Sequence, residues 1–301
     1  MRHFLDIDEL TKDELEHVLD LSSQPATTAP LAGKGMALLF EKPSARTRNA
    51  MEMAVVQLGG HPVYIRPEEL GLDVRETVED VARTFACYHH LLGARVFAHS
   101  TVERMAALDV IPVVNLLSDK SHPMQALGDL LTMRSELSVL EDRIVTFIGD
   151  GNNVALSLAK ACGLTGMKFR LASPPGYSFS ASDIEEIAAT GTEVEIYRSP
   201  YEAVADADVV YTDTWASMGK EDEAAERKDA FQEFRVDANL MSVAGEKAIF
   251  LHCLPAKRGN EVTDEVLDGA QSRVWVQAEN RMHSARGLLT WLVEEGQWSV
   301  S

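Results

Sequence analysis

Residues 39–50, Leu-Phe-Glu-Lys-Pro-Ser-Ala-Arg-Thr-Arg-Asn-Ala, decide the fold, because an apolar run that begins at residue 36 stops there and a helical pattern begins. A strand, a tight turn and a helix N-terminus are predicted. Free backbone N–H groups and the helix dipole attract anions at such an N-terminus, and hydroxyl and guanidinium groups suit phosphate oxygens. Those side chains are Ser44, Arg46, Thr47 and Arg48. The stretch predicts a phosphate site, although a capped helix with two surface arginines has the same pattern.

Strands and helices alternate along the rest of the chain. Apolar runs predict strands at 36–40, 61–65, 94–98, 111–114, 144–148, 168–172, 194–197, 208–211 and 248–251. Helical patterns fall between them, at 77–88, 102–108, 123–136, 154–164 and 183–189. This alternation predicts an α/β protein with two doubly wound parallel-sheet domains joined by terminal and crossing helices.

A polar seam at residues 141–143 predicts the domain boundary. The first domain is expected to span 1–140 and to include an N-terminal helix over 11–22, where Thr11 and Glu14 have the spacing of a capping box. The second domain is expected to span 141–301. Its C-terminal helix, 278–294, has the length and apolar stripe to pack back on the first domain.

Composition excludes several classes of partner. The net charge is −19 over 301 residues, so neither nucleic acid nor an anionic membrane surface is expected to bind. An anionic ligand must instead be attracted by a local basic pocket. The three cysteines lack C-x-x-C spacing, and no cationic signal segment or apolar run of ~20 residues is present. A cytoplasmic protein in a reducing compartment is predicted.

Ligands of open α/β sheets bind beyond the carboxyl ends of the strands, and polar clusters follow the apolar runs there. Residues 149–153, Gly-Asp-Gly-Asn-Asn, lack the third glycine of a dinucleotide-binding turn, so no nucleotide cofactor is expected. His122 and Gln125 form a donor pair suited to a carbonyl oxygen that gains charge, although a lone buried histidine is common in cores. Cys253 also fits a small apolar filler, and no ligand spacing indicates a metal.

Six motifs occur in an order that resembles the aspartate/ornithine carbamoyltransferase superfamily. They are Phe-Glu-Lys-Pro-Ser-Ala-Arg-Thr-Arg at 40–48, His-Pro-Met-Gln at 122–125, Gly-Asp-Gly-Asn-Asn at 149–153, Asp-Thr-Trp-Ala-Ser-Met-Gly at 213–219, His-Cys-Leu-Pro-Ala at 252–256 and Ala-Glu-Asn-Arg at 278–281. The fourth and fifth are most similar to the ornithine carbamoyltransferase branch, since Asp213 suits a cationic amine rather than a second carboxylate.

The resemblance implies a role for each motif. Carbamoyl phosphate would be bound by the first domain together with three residues of the second; the set is Ser44, Ala45 through its backbone, Arg46, Thr47, Arg95, His122, Gln125, Cys253, Leu254 and Arg281. Ornithine would be bound by Asn153, Asp213, Ser217 and Met218. The catalytic set would be Arg95, His122, Gln125, Asp213, Cys253 and Arg281.

The implied reaction is attack of the ornithine δ-amine on carbamoyl phosphate through a tetrahedral intermediate, giving citrulline and phosphate, or the reverse. It needs neither cofactor nor metal. The resemblance also implies a homotrimer, or a multiple of trimers, with active sites at subunit interfaces. Two departures stand out: Ala45 replaces the usual threonine, and the loop 67–76, which in the family reaches a neighbouring subunit, contains no Gln or His. A carbamoyltransferase for another amine, such as putrescine or an acylated ornithine, and a catalytically silent paralogue remain alternatives.

The acidic composition fits a cytoplasm of high ionic strength, where salt screens repulsion among the 47 acidic side chains. We therefore expect enzymatic activity to persist in molar KCl. A titration with KCl from about 0.1 M upward measures this, and loss of activity at molar salt would contradict it.

Overall fold

The computed structural model of the protein describes residues 1–216 and 221–295. The chain divides into two compact units, each with its own parallel sheet. Unit 1 comprises Met1–Leu131 and the chain from Glu279 onward, and unit 2 comprises Thr132–Ala278. The division falls inside two helices, and its first point lies before the seam predicted at 141–143.

Unit 1 contains, within the described residues, one sheet of four parallel strands in the order β2-β1-β3-β4. The strands are β1 (Gly35–Phe40), β2 (His61–Ile65), β3 (Leu91–Arg95) and β4 (Val113–Leu117). The helices that begin in this part of the chain are α1 (Lys12–Ser23), α2 (Ala45–Gln57), α3 (Pro67–Leu70), α4 (Val78–Ala86), α5 (His99–Ala107) and α6 (Pro123–Leu137). The capping box predicted for α1 is confirmed, because Thr11 and Glu14 exchange side-chain and backbone hydrogen bonds.

Unit 2 contains, within the described residues, one sheet of five parallel strands in the order β7-β6-β5-β8-β9. The strands are β5 (Ile144–Ile148), β6 (Lys168–Ala172), β7 (Val194–Tyr197), β8 (Val209–Thr212) and β9 (Ile249–His252). The helices are α7 (Asn153–Thr165), α8 (Ala181–Ala189), α9 (Pro200–Ala203), α10 (Ala224–Ala230), α11 (Ala238–Ala244), α12 (Asp264–Leu267) and α13 (Val274–Glu295). The predicted fold class is confirmed.

The last helix, α13, begins in unit 2 and continues into unit 1. Its residues Leu288 and Trp291 are buried, and the guanidinium of Arg286 donates to the backbone oxygen of Ser22 at 3.0 Å. Gly287 permits a close approach to α1, because a Cβ there would lie 2.1 Å from the Ser22 Oγ. The C-terminal helix therefore forms part of the core of unit 1.

Two strands of unit 1 have bounds that differ from the predicted ones. The strand predicted at 94–98 is β3, Leu91–Arg95, because Leu91 and Leu92 are fully buried and pair with β1, whereas Ala98 is the N-cap of α5. The strand predicted at 111–114 is β4, Val113–Leu117. Its polar Asn115 is buried inside the strand instead of following it.

Within residues 1–216 and 221–295, no helix combines the length and the apolar character that crossing a bilayer requires.

Candidate active site

Both sheets place polar residues where the winding of the chain reverses. In unit 1 the chain moves from β1 to β2 on one side and then to β3 on the other, so the loops after β1 and β3 separate. In unit 2 the same reversal occurs between β5 and β8. Crevices at such reversals, beyond the carboxyl ends of the strands, are the usual ligand sites of open α/β sheets.

In unit 1, three donors converge on the Thr47 hydroxyl in the first turn of α2. The Thr47 Oγ1 accepts from Arg281 Nη2 at 2.9 Å, from Ser44 Oγ at 3.2 Å and from Arg95 Nη1 at 3.4 Å. Ser44 is also the N-cap, because its side chain accepts from the backbone N–H of Thr47. We call the following six residues the cationic site: Ser44, Thr47, Arg95, His122, Gln125 and Arg281.

Arg281 reaches the cationic site from α13 because α13 packs closely against α6. Gly128 of α6 faces it, and a Cβ at position 128 would lie 3.2 Å from the Cγ of Arg281 and 3.4 Å from its Cα. Arg281 is only 6% exposed. A glycine in α6 thus places a buried guanidinium beside the N-terminus of α2.

His122 precedes α6, and it is buried beside two guanidinium groups. Burial, reinforced by the positive charges of Arg281 and Arg95, holds the pKa of His122 well below its ordinary value. Both effects favour the neutral imidazole. The loop that leads to it is fixed by the amide of Asn115, which donates to Ser121 Oγ at 3.0 Å and to the backbone oxygen of Leu5 at 2.9 Å.

Gln125 lies in the first turn of α6 and is 1% exposed. Its Nε2 donates to Asp129 Oδ1 at 2.8 Å, and its Oε1 has no hydrogen-bond partner among the described residues. Gln125 consequently offers a hydrogen-bond acceptor. The interpretation of Gln125 and His122 as a donor pair did not include this property.

In unit 2, three donors surround the carboxylate of Asp213, which follows β8. Its Oδ1 accepts from the backbone N–H of Thr214 at 2.7 Å and from the thiol of Cys253 at 2.9 Å. Its Oδ2 accepts from Asn152 Nδ2 at 3.0 Å, while Asn152 Oδ1 caps α7. We call Asn152, Asp213 and Cys253 the carboxylate site. It presents a fixed anionic group suited to an amine.

The residues next to Cys253 hold its loop in place. His252 Nδ1 accepts from the backbone N–H of Leu254 at 2.8 Å, so its proton is on Nε2, which faces Glu261 Oε1 at 3.2 Å. Leu254 has a φ of 58°, a conformation that this hydrogen bond supports. Ligand atoms of Asp213, His252 and Cys253 lie within 4.8 Å of one another. Both ring nitrogens of His252 are nevertheless engaged, so this arrangement is not that of an open metal site.

Arg227 of α10 connects two loops of unit 2. Its guanidinium donates to Asp150 Oδ2 at 2.6 Å and to the backbone oxygen of Trp215 at 3.1 Å, and it is 5% exposed. One buried cation therefore fixes the loop after β5 relative to the loop after β8, on which the carboxylate site depends.

The structure places the remaining predicted residues as follows. Ala45 and Arg46 lie in the first turn of α2, Ala45 exposed and Arg46 half-buried. Arg48 Nε donates to Glu52 at 2.8 Å and its guanidinium lies 3.9 Å from the centre of the Tyr64 ring, so it does not join the cationic site. Asn153 is the first residue of α7, next to Asn152. Ser217 and Met218 lie outside the described residues.

Comparison with known proteins identifies the family. Residues 2–135 match the family model "Aspartate/ornithine carbamoyltransferase, carbamoyl-P binding domain", and residues 141–292 match "Aspartate/ornithine carbamoyltransferase, Asp/Orn binding domain". The chain belongs to the aspartate/ornithine carbamoyltransferase family. The family recognised from the six motifs is thus confirmed.

Individual members of the family are similar over almost the whole chain. An ornithine carbamoyltransferase of Haloquadratum walsbyi is 43% identical, with 97% of this chain and 98% of that protein covered. The solved structure of an ornithine carbamoyltransferase from Pyrococcus furiosus is 40% identical, with a TM-score of 0.92 and coverage of 98% and 97%. An anabolic ornithine carbamoyltransferase from Campylobacter jejuni is 36% identical, with a TM-score of 0.92 and coverage of 97% and 99%.

Sequence reasoning assigned no role to three residues that position groups in this member of the family. They are Asp129, Asn152 and Arg227, which contact Gln125, Asp213 and Asp150 respectively. Asp129 follows Gln125 by four residues on a predicted helix, so the spacing could have indicated that contact. The other two contacts join residues that are 61 and 77 positions apart, and no local pattern indicates them.

Replacing Gly128 with alanine should impair catalysis without loss of stability. The added methyl group would displace Arg281 by a few tenths of an ångström, because its Cβ lies 3.2 Å from the Cγ of Arg281. Small misplacements of a charged group lower the rate, so we expect transferase activity to fall by several-fold. Steady-state kinetics and thermal unfolding measure the two effects; unchanged activity in a folded variant would contradict the role of this glycine.

His122 should make the protein less stable in acid. The unfolded chain protonates this imidazole below about pH 6.5, whereas the folded state, with its lowered pKa, does not. The unfolded state then binds more protons, so the free energy of unfolding decreases as pH falls, by at most about 1.4 kcal/mol per pH unit from this group. His122→Gln should show a shallower decrease between about pH 7.5 and 5.5 in urea denaturation. Equal slopes for both proteins would refute this.

Proposed function

We propose that this family member transfers the carbamoyl group of carbamoyl phosphate to the δ-amine of L-ornithine, giving L-citrulline and phosphate, or catalyses the reverse reaction. The convergence of Arg281, Arg95 and Ser44 on the Thr47 hydroxyl supports the proposal most directly. It provides two cations and a hydroxyl at a helix N-terminus, which is the chemistry that the phosphate and carbonyl oxygens of carbamoyl phosphate together require. The reaction belongs to arginine metabolism.

The phosphate is bound by Ser44, Arg46, Thr47 and the backbone N–H groups that begin α2, including that of Ala45. Ala45 contributes no hydroxyl, so the backbone has a larger share of the binding at this position. The helix dipole also stabilises phosphate as it leaves, because negative charge accumulates on the departing oxygen.

The carbamoyl group is oriented because different side chains bind its carbonyl oxygen and its amide nitrogen. Its carbonyl oxygen is bound by Arg95, His122 and Arg281, which stabilise the negative charge of the tetrahedral intermediate, and one such donor contributes about 100-fold or more to the rate. Its amide nitrogen donates to Gln125 Oε1. A neutral His122 is suited to this role because it can donate without adding a third buried positive charge.

The amine is bound by unit 2. Asp213 accepts a hydrogen bond from the δ-amine. Cys253 and Asn152 hold the carboxylate of Asp213 in orientation. Asn153, Ser217 and Met218 bind the amino-acid end of ornithine. The neutral amine nitrogen forms a bond to the carbonyl carbon, the bond from that carbon to the phosphate oxygen breaks, and one proton of the amine passes to the departing phosphate. No covalent enzyme intermediate is required.

We also propose a homotrimer, or a multiple of trimers, in the cytoplasm. The resemblance of the chain to its family supports this, and the segment from Pro67 to Glu76 would reach a neighbouring subunit. Val74 in that segment is 92% exposed in the single chain, which suits a residue that is covered on assembly. Light scattering of the purified protein measures the number of chains.

Two arginines on α2 provide a matched test of the activity. Arg46→Ala should lower citrulline formation from carbamoyl phosphate and L-ornithine by about 10- to 100-fold, because it removes a charge-assisted hydrogen bond to phosphate. Arg48→Ala should stay close to wild type, because Arg48 contacts Glu52 and Tyr64. The assay is run across pH and KCl concentration.

The wild-type protein alone separates this proposal from its alternatives. Turnover of putrescine or an acylated ornithine, without turnover of ornithine, would replace ornithine as the substrate. Absence of activity with every amine at any salt concentration would indicate a catalytically silent paralogue. Equal losses in Arg46→Ala and Arg48→Ala would contradict the assignment of phosphate to the N-terminus of α2.

A further inference from the structure

Asp129 is a fully buried carboxylate in α6, one helical turn after Gln125. None of the six motifs includes it. Its Oδ1 accepts a hydrogen bond from Gln125 Nε2 at 2.8 Å, while Gln125 itself is 1% exposed. Two buried polar side chains at this spacing form a fixed pair, because breaking their hydrogen bond would leave a buried group unsatisfied.

The chemistry of a carboxylate decides which way the amide of Gln125 faces. The hydrogen bond from Gln125 Nε2 to Asp129 Oδ1 uses the NH₂ group, which is the only part of the amide that an ionised carboxylate can bind, because such a carboxylate only accepts hydrogen bonds. The Oε1 atom is then on the opposite side of the amide, where no described residue donates to it. A neutral partner such as asparagine or serine both donates and accepts, and would permit either orientation.

An acceptor that is fixed and unsatisfied selects a ligand with a donor. Carbamoyl phosphate and acetyl phosphate have the same carbonyl and phosphate groups, but the first carries an NH₂ group where the second carries a methyl group. Gln125 Oε1 satisfies the NH₂ group and is left desolvated against the methyl group. Sites built to bind a hydrogen-bonding group reject ligands that lack it for this reason.

We propose that Asp129 is a positioning residue that makes the enzyme selective for a carbamoyl over an acyl group, by holding the amide of Gln125 with its oxygen toward the substrate. The inference rests on the proposed function, because carbamoyl phosphate is the substrate concerned. Asp129 does not touch the substrate and acts through Gln125.

The test compares the affinities for the two phosphates in wild type and in Asp129→Asn. Binding of carbamoyl phosphate and of acetyl phosphate is measured by calorimetry, and inhibition by acetyl phosphate is measured in the citrulline assay. In Asp129→Asn the Kd for carbamoyl phosphate should rise about three- to tenfold, which corresponds to the loss of one hydrogen bond. The Kd for acetyl phosphate should stay within about twofold of the wild-type value. The smaller variant Asp129→Ser should give the same change in ratio, which protects the test if Asp129→Asn does not fold.

Two further variants separate positioning from general effects. Asp6→Asn removes another buried carboxylate of unit 1, one that accepts from the backbone N–H of Ile7, and should leave the ratio unchanged. Gln125→Met removes the acceptor itself and should reproduce the effect of Asp129→Asn. If Asp129 acts through Gln125, the double variant should be no worse than Gln125→Met alone.

Three results would overturn the inference. Equal factors of loss for both phosphates in Asp129→Asn would indicate a purely structural role. Multiplying effects in the double variant would mean that Asp129 acts independently of Gln125. A wild type that binds neither phosphate would refute the proposed function as well, whereas one that forms citrulline with an unaltered ratio in Asp129→Asn would refute the inference alone.

Discussion

The reversal of winding in each parallel sheet is the constraint on which the rest of the structure depends. Parallel strands place all their carboxyl ends at one edge, and only at the reversal do two neighbouring loops turn away from each other. In unit 1 this leaves room between the loops after β1 and β3, where Thr47 and Arg95 lie. In unit 2 it leaves room between the loops after β5 and β8, which Asn152 and Asp213 join. Two unrelated chemistries thus occupy the same position in two similar sheets.

The cationic site concentrates positive charge in a protein whose net charge is −19. Arg281 is nearly buried, and it shares one hydroxyl with Arg95, so two positive charges are held close together at the N-terminus of α2. Burial, together with the same two charges, lowers the pKa of His122 and favours its neutral form.

Much of this could be predicted from sequence, since each strand ends where an apolar run meets polar residues. β2, β5, β6 and β7 lie where they were expected, because turn residues bound their apolar runs. The bounds of β3 and β4 were predicted wrongly, because apolar residues continue on both sides of these strands and periodicity alone does not fix where a strand ends. The short helices α3, α9, α10, α11 and α12 were not predicted, as each has seven residues or fewer.

For the candidate site, too, local sequence patterns indicated some features and not others. Residues in ordered motifs, such as Ser44, His122 and Asp213, were selected as candidates from their types and spacing. The contacts that orient them were not, because Arg281 meets Thr47 across 234 positions and Arg227 meets Asp150 across 77. The orientation of the Gln125 amide depends on a partner that only accepts hydrogen bonds, and the sequence gives no sign of which end of an amide faces a ligand.

Because unit 1 is formed from two separate pieces of chain, its assembly has an order in time. Domains form from the N-terminus onward as a chain leaves the ribosome, yet Arg281 and the buried Trp291 are synthesised only after all of unit 2. The nascent first piece can pair its four strands, but it lacks one of its two convergent guanidinium groups. A chain that stops anywhere within unit 2 therefore lacks Arg281, and its cationic site is incomplete even though all four strands of the first sheet are present.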